Sequence, residues 1–172
     1  MDLALFRALN ALAGHRFDSV ILFCDAYLPY IIIALFIGAS LVPVRNLKLL
    51  ITGLGAAVVA RFGLKSILVL FIERARPFIA LSDMNLVILP DIGEDLQSLP
   101  SGHALFFFAL AMVAYHHNRK LGAWLFAGAT FMTITRVIGG VHWPSDILAG
   151  ALLGSLVGWL AIRIFGASPK TA

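Results

Sequence analysis

Long apolar runs separated by short polar breaks set the pattern of this chain. Five runs are long enough, or nearly so, to cross a bilayer: roughly Ser19 to Val42, Leu47 to Ile72, Ser101 to Tyr115, Leu121 to Ile138 and Ser145 to Ile164. A spanning helix needs about 20 such residues, so the third run is short and needs extension by its neighbours or cover from loops. Ahead of them Leu3, Phe6, Leu9 and Ala13 recur at helical spacing, while Arg7 and Asn10 interrupt any continuous apolar core. That pattern predicts a short helix in the membrane interface rather than a secretory leader. The breaks alternate in character: 43–48 (PVRNLK) and 116–120 (HHNRK) are short and basic, whereas 76–100 is long and carries Asp83, Asp91, Glu94 and Asp95. Short basic turns stay on the cytoplasmic side. The long loop, the ends of the second and fourth runs and the starts of the third and fifth then face outward, with Lys170 near an inner C-terminus. The expected fold is all-α: a polytopic membrane bundle of about five transmembrane helices plus an N-terminal interfacial helix, in a single domain over 1–172.

Composition supports the membrane reading. Of 172 residues, 60% are hydrophobic and 13% charged, and the mean hydropathy is +0.94, more apolar surface than a soluble domain of this size can hide. A net charge of +4, scattered along the chain, excludes a nucleic-acid binder with its gathered basic patch. The lone Cys24 sits in an apolar run and reads as a small buried hydrophobe.

Under this topology the unusual polar residues converge. The second run ends in 73–78 (ERARPF), the third opens with 100–103 (PSGH), and the fourth runs out at 135–146 (TRVIGGVHWPSD). Arg74, Arg76, Ser101, His103, Arg136, His142 and Asp146 therefore share one depth near the outer surface, where charges are costly unless paired or used. Ser101, Gly102 and His103 head a helix, whose open N–H groups and dipole suit an anion. Ser101 reads equally well as an ordinary N-cap. Arg76 precedes Pro77, which ends the helix there and leaves a guanidinium suited to phosphate. Glu73 and Arg74 read as an interfacial anchor. Gly139 and Gly140 allow the chain to turn back, and Asp146, four residues after His142, is placed either to orient that ring or to cap the last helix.

These residues resemble the type 2 phosphatidic acid phosphatase superfamily, whose pattern is Lys-x6-Arg-Pro, then Pro-Ser-Gly-His, then Ser-Arg-x5-His-x3-Asp. The second element is complete at Pro100 to His103, and the third is present from Thr135 to Asp146 with threonine for serine. Arg76-Pro77 is present in the first, but its lysine position falls on Val69. Within the superfamily the chain is similar to the undecaprenyl-diphosphate phosphatases of the bacitracin-resistance type, some of which also lack that lysine. The resemblance implies a lipid phosphatase that needs no metal or other cofactor, with lipid diphosphate or phosphate as substrate. It implies that His142 attacks phosphorus with Asp146 orienting its ring, and that His103 handles the leaving-group proton. Arg76, Ser101, Gly102 and Arg136 would hold the phosphate oxygens, with Arg74 or Lys65 standing in for the lysine. It further implies a bacterial inner membrane and a site on its outer side.

Alternatives within the class are phosphatidylglycerophosphate, phosphatidic acid or lipid A phosphates. Outside it stand a small transporter or lipid-binding protein using Arg61, Lys65 and Asp25 as a pathway, and a catalytically dead relative. A structural pairing of Asp25 with Lys65 or Arg61 is expected, the alternative being a polar wall to the substrate cleft. Gly150, Gly154 and Gly158 recur every four residues, which predicts close helix packing or a homodimer contact.

Overall fold

In the computed structural model the described residues are 1–14, 17–42, 46–90, 93 and 95–166, so His15, Arg45, Asp91, Glu94 and Lys170 lie outside them. The regular elements are helices: α1 (Asp2–Asn10), α2 (Asp18–Ala26), α3 (Leu28–Leu41), α4 (Leu47–Val58), α5 (Lys65–Leu68), the single turn α6 (Pro77–Ala80), α7 (Gly102–His117), α8 (Arg119–Ile138) and α9 (Pro144–Phe165). A π-helical segment, Val59–Leu64, joins α4 to α5 without a break. Among the described residues, three helices are long and apolar enough to cross a membrane: Leu47–Leu68, α8 and α9. The pair α2 and α3 qualifies as a fourth, broken span, bent by 41°. The bend falls where Pro29 opens α3, because proline cannot continue the hydrogen-bond ladder of the turn before it.

The expected short span is α7, with 16 residues, or about 24 Å at 1.5 Å per residue. It is apolar on every side, the pattern of a helix enclosed by others, and its buried residues run around the whole barrel from Ala104 and Leu105 to Val113 and Ala114. Helices α4, α8 and α9 surround it. Leucines and aromatics such as Leu35, Phe71, Trp124 and Leu152 face outward on the others, as lipid contact requires.

The glycine stripe of α9 is what lets α7 sit so deep. A Cβ at Gly154 would lie 2.4 Å from the carbonyl oxygen of Leu105, and one at Gly158 2.5 Å from that of Ala109. Small residues at such a crossing allow backbone contact, and here the partner is α7 of the same chain. Gly154→Leu is therefore expected to overpack the crossing and destabilise the fold by about 1–3 kcal/mol or more. A thermal unfolding midpoint in detergent equal to that of the wild type would contradict this packing.

Candidate active site

The end of α5, the start of α7 and the hinge between α8 and α9 meet at one end of the bundle. After Leu68 the chain leaves the helix, and Val69, at the absent-lysine position, is its C-cap. Residues 74–76 run extended beside 95–98: Arg74 N donates to Leu96 O at 2.9 Å, Arg76 N to Asp95 O at 3.0 Å and Ser98 N to Arg74 O at 3.1 Å. Two residues beyond lies the Pro-Ser-Gly-His segment. Ser101 accepts from Ala104 N at 3.5 Å, a weak cap, while its own N–H donates to Asp146 O at 3.2 Å. That bond ties the head of α7 to the head of α9.

The hinge turns as the two glycines predict. Gly140 has φ +89° and a Cβ there would lie 2.8 Å from Asn85 O, so the position needs glycine for both conformation and space. Residues 84–88 of the long loop pack on this hinge, with Val87 N and Ile88 N both donating to Gly139 O. The turn delivers Arg136, His142 and Asp146 to one buried place, at 5%, 2% and 0% exposure, beside Arg76 at 1% and Ser101 at 0%. Arg76 donates to Val141 O at 3.3 Å. Gly102 is buried, His103 half-buried, and the His103 ring stacks on Phe107.

Asp146 is the most heavily used group. Its Oδ2 accepts from Trp143 N at 2.8 Å and from the Ser98 hydroxyl, and its Oδ1 accepts from Arg74 at 2.6 Å. It therefore caps α9. The His142 Nδ1 lies 3.5 Å from Oδ2, an electrostatic contact longer than a formed hydrogen bond, and makes no other polar contact. Burial pushes the His142 pKa down to about 4, with the charges of Arg136 and Arg76 adding to the effect and Asp146 opposing it.

Three placements differ from expectation. Asp25 pairs with Arg136, a partner the sequence did not suggest, because α2 packs on α8. Arg74 is not an exposed anchor: it bridges Asp146 and Asp2, lies over the Trp143 ring, and also donates to Ser145 Oγ at 2.7 Å. Lys65 and Arg61 lie against the head of α7, where a Cβ on Gly102 would sit 3.4 Å from Lys65 Cδ and 3.2 Å from Arg61 Nη1.

Sequence reasoning missed the part played by α1. Asp2 accepts from Ser145 N at 3.0 Å and Ser145 Oγ at 2.6 Å as well as from Arg74. Asn10, at 4% exposure, donates to Asn85 O and Ile138 O and accepts from Asn85 N. The Phe6 ring packs on Trp143. Of these residues Asn10 alone gave a signal, as an interruption of an otherwise apolar helix.

Fold and site together define a polytopic helical membrane protein that buries His142, Asp146, Arg76 and Arg136 where the head of α7 meets the hinge between α8 and α9. The chain belongs to the PAP2 superfamily, which matches over residues 48–170. It is 30% identical over 99% of its length to the Bacitracin transport permease protein BcrC of Bacillus licheniformis, covering 82% of that protein. It is 26% identical over 95% of its length to the Undecaprenyl-diphosphatase BcrC of Bacillus subtilis, covering 83%. The crystal structure of Aquifex aeolicus LpxE superimposes with a TM-score of 0.73 at 28% identity, covering 94% of each chain. The protein is thus a membrane phosphatase of this superfamily.

Two outcomes follow from the geometry. With a folded pKa of about 4 against an ordinary 6.5, His142 is neutral near pH 7. Below pH 6.5 the unfolded chain takes up a proton here that the folded chain does not, so this residue costs stability as pH falls from 6.5 toward 4. Its imidazole resonance in labelled protein, assigned with His142→Gln, is expected to titrate below pH 5, and a midpoint of 6–7 would contradict the burial. Asp2→Ala is expected to loosen Arg74 and lower kcat by about 10-fold, about 1.4 kcal/mol of barrier, with KM little changed and Asp2→Glu restoring most of it. A wild-type kcat for Asp2→Ala would show that the bridge does not reach the chemistry.

Proposed function

We propose that this phosphatase hydrolyses a polyprenyl diphosphate, with undecaprenyl diphosphate the first candidate, to the monophosphate and phosphate through a phosphohistidine, without a metal. The observation that carries the reading is His142: a buried, neutral imidazole with a saturated carboxylate on its Nδ1 side and two arginines acting on it. A neutral ring can attack; an imidazolium cannot. Asp146 on the Nδ1 side leaves Nε2 as the nucleophile and stabilises the positive charge that develops on the ring. The Nε2–P bond forms as the P–O bond to the bridging oxygen breaks, and the electron pair leaves with the lipid monophosphate. Water then attacks the phosphohistidine, His103 takes its proton, and phosphate departs. Arg76, Arg136, Ser101 and the Gly102 amide hold the equatorial oxygens, a task of positioning and dispersed positive charge. The undecaprenyl-diphosphatase relative over nearly the whole chain favours the diphosphate. The site opens to the outer face of a bacterial inner membrane, following the basic inner turns.

A phosphate monoester leaves with a second pKa of about 6, whereas an alkoxide needs a proton far more. The test is phosphate release from a panel of lipid diphosphates and monophosphates in detergent, with a chelator present. Expected are chelator-insensitive activity highest on polyprenyl diphosphate, no turnover by His142→Ala, and a His103→Ala loss smaller on diphosphate than on monophosphate. Chelator-sensitive turnover, or an active His142→Ala variant, would end the phosphohistidine reading. Equal His103→Ala losses would end the assignment of that residue to the leaving group.

A further inference from the structure

The carboxylate oxygen that Asp146 turns toward His142 is already in use. Its Oδ2 accepts from Trp143 N at 2.8 Å and from the Ser98 hydroxyl. Each carboxylate oxygen has about two lone-pair sites, so these donors fill it. The His142 Nδ1 lies 3.5 Å away and, among the described residues, finds no hydrogen-bond partner. A buried ring nitrogen left unpaired beside a carboxylate is costly and calls for a reason. Trp143 N belongs to the hinge backbone, and its bond caps α9. The Ser98 hydroxyl is the side-chain donor on that oxygen.

The fold brings Ser98 there by a fixed route. It is fully buried, at 0% exposure, and its N–H donates to Arg74 O at 3.1 Å where 74–76 runs beside 95–98. Arg74, at the other end of that bond, sends its guanidinium to Asp146 Oδ1 at 2.6 Å. One backbone hydrogen bond thus couples the two donors that address the two oxygens of the carboxylate. Since the Ser98 hydroxyl donates to Asp146, its influence on the reaction passes through that side chain.

We propose that Ser98 is a positioning residue. By filling the second site on Oδ2, its hydroxyl lets Asp146 orient the His142 ring without drawing a proton onto it. An oxygen with a vacant lone pair at this distance would take the Nδ1–H and favour the imidazolium, which cannot attack phosphorus. Once Nε2 bonds to phosphorus the ring is cationic, its proton stays on Nδ1, and Oδ2 is already beside it. A side-chain hydroxyl rotates whereas a backbone amide does not, so Ser98 can yield its site at that moment. This consequence for turnover rests on His142 as the nucleophile; the effect on the ring itself does not. The other charged and titratable groups facing His142 are Arg136 on α8, Arg76 ahead of α6 and His103 on α7. Asp25 stands behind Arg136 and Arg74 behind Asp146. All of them remain when the Ser98 hydroxyl is removed.

The test follows the His142 imidazole resonance of full-length labelled protein in detergent, together with kcat/KM on a lipid diphosphate, as pH is lowered. Ser98→Ala is expected to raise the titration midpoint by about one pH unit or more, the worth of one hydrogen bond to a charged group. It is expected to cost more activity at pH 5 than at pH 8. Ser98→Thr, which keeps the hydroxyl, is expected to restore the wild-type midpoint. Ser98→Cys, a weaker donor of similar shape, is expected to shift the midpoint upward by less, and it carries the test where the alanine protein does not fold. An unchanged or lowered midpoint, or an activity loss equal at both pH values, would overturn the proposal and leave Ser98 as a partner of a buried charge and no more. A Ser98→Thr midpoint as high as that of Ser98→Ala would do the same. Activity that survives His142→Ala would refute the phosphohistidine alone, because the midpoint is read without turnover.

Discussion

A carboxylate sealed from solvent holds this site together. Asp146 has 0% exposure, and an ionised carboxylate buried without partners costs several kcal/mol. Its oxygens are satisfied by three separate stretches: the hinge amide of Trp143, the Ser98 hydroxyl from the long loop, and the Arg74 guanidinium beyond α5. Satisfying the charge therefore requires that all three stretches arrive together. The capping role and the catalytic role are not competitors, because the bonds that cap α9 also fix the oxygen that faces His142. The Ser101 N–H bond to the carbonyl of the same residue draws in the head of α7. The histidine-bearing segments thus meet as a consequence of burying one charge.

Arg74 carries this constraint outward. Lying between Asp146 and Asp2, it balances two carboxylates with one cation, and Asp2 in turn takes both the N–H and the hydroxyl of Ser145. The first helix is therefore part of the wall around the site. Burial raises the pKa of Asp2 to some extent, yet the bonds from Ser145 and Arg74 outweigh it and hold the carboxyl below its ordinary value. Its contribution is present above the ordinary pKa and fades only as pH falls through the lowered one. Near neutral pH the α1 bridge is intact.

What the sequence revealed and what it concealed divide along a physical line. Apolar runs, the glycine hinge and the spacing from Arg136 to Asp146 are local features, and their periods and turn chemistry act over a few residues. The partners of Asp2, Asn10 and Ser98 are not local: the Asn10 bonds reach 75 and 128 residues along the chain. A lone polar residue in an apolar helix announces that it has a partner without naming it. For the same reason the spacing of charges along the chain does not point to Arg136 as a partner of Asp25. Only the packing of α2 on α8 selects Arg136. The glycine stripe announced a close crossing, and which helix fills it depends on the arrangement of the whole bundle.

Several arginines in a small buried volume repel one another, and the structure resolves this by fixing each to a different anchor. Arg74 is held by Asp2 and Asp146, Arg136 by Asp25, and Arg76 by the Val141 carbonyl. Anchoring by a carboxylate lowers the net charge that the fold must tolerate, while an arginine, with five donors, keeps others for a phosphate. A cation fixed in advance also needs no reorganisation when charge shifts on the substrate, the condition under which electrostatic stabilisation is strongest. The carboxylates around the site therefore do not cancel its positive field so much as hold its sources in place, and the neutral ring of His142 is the reactive group on which that field converges.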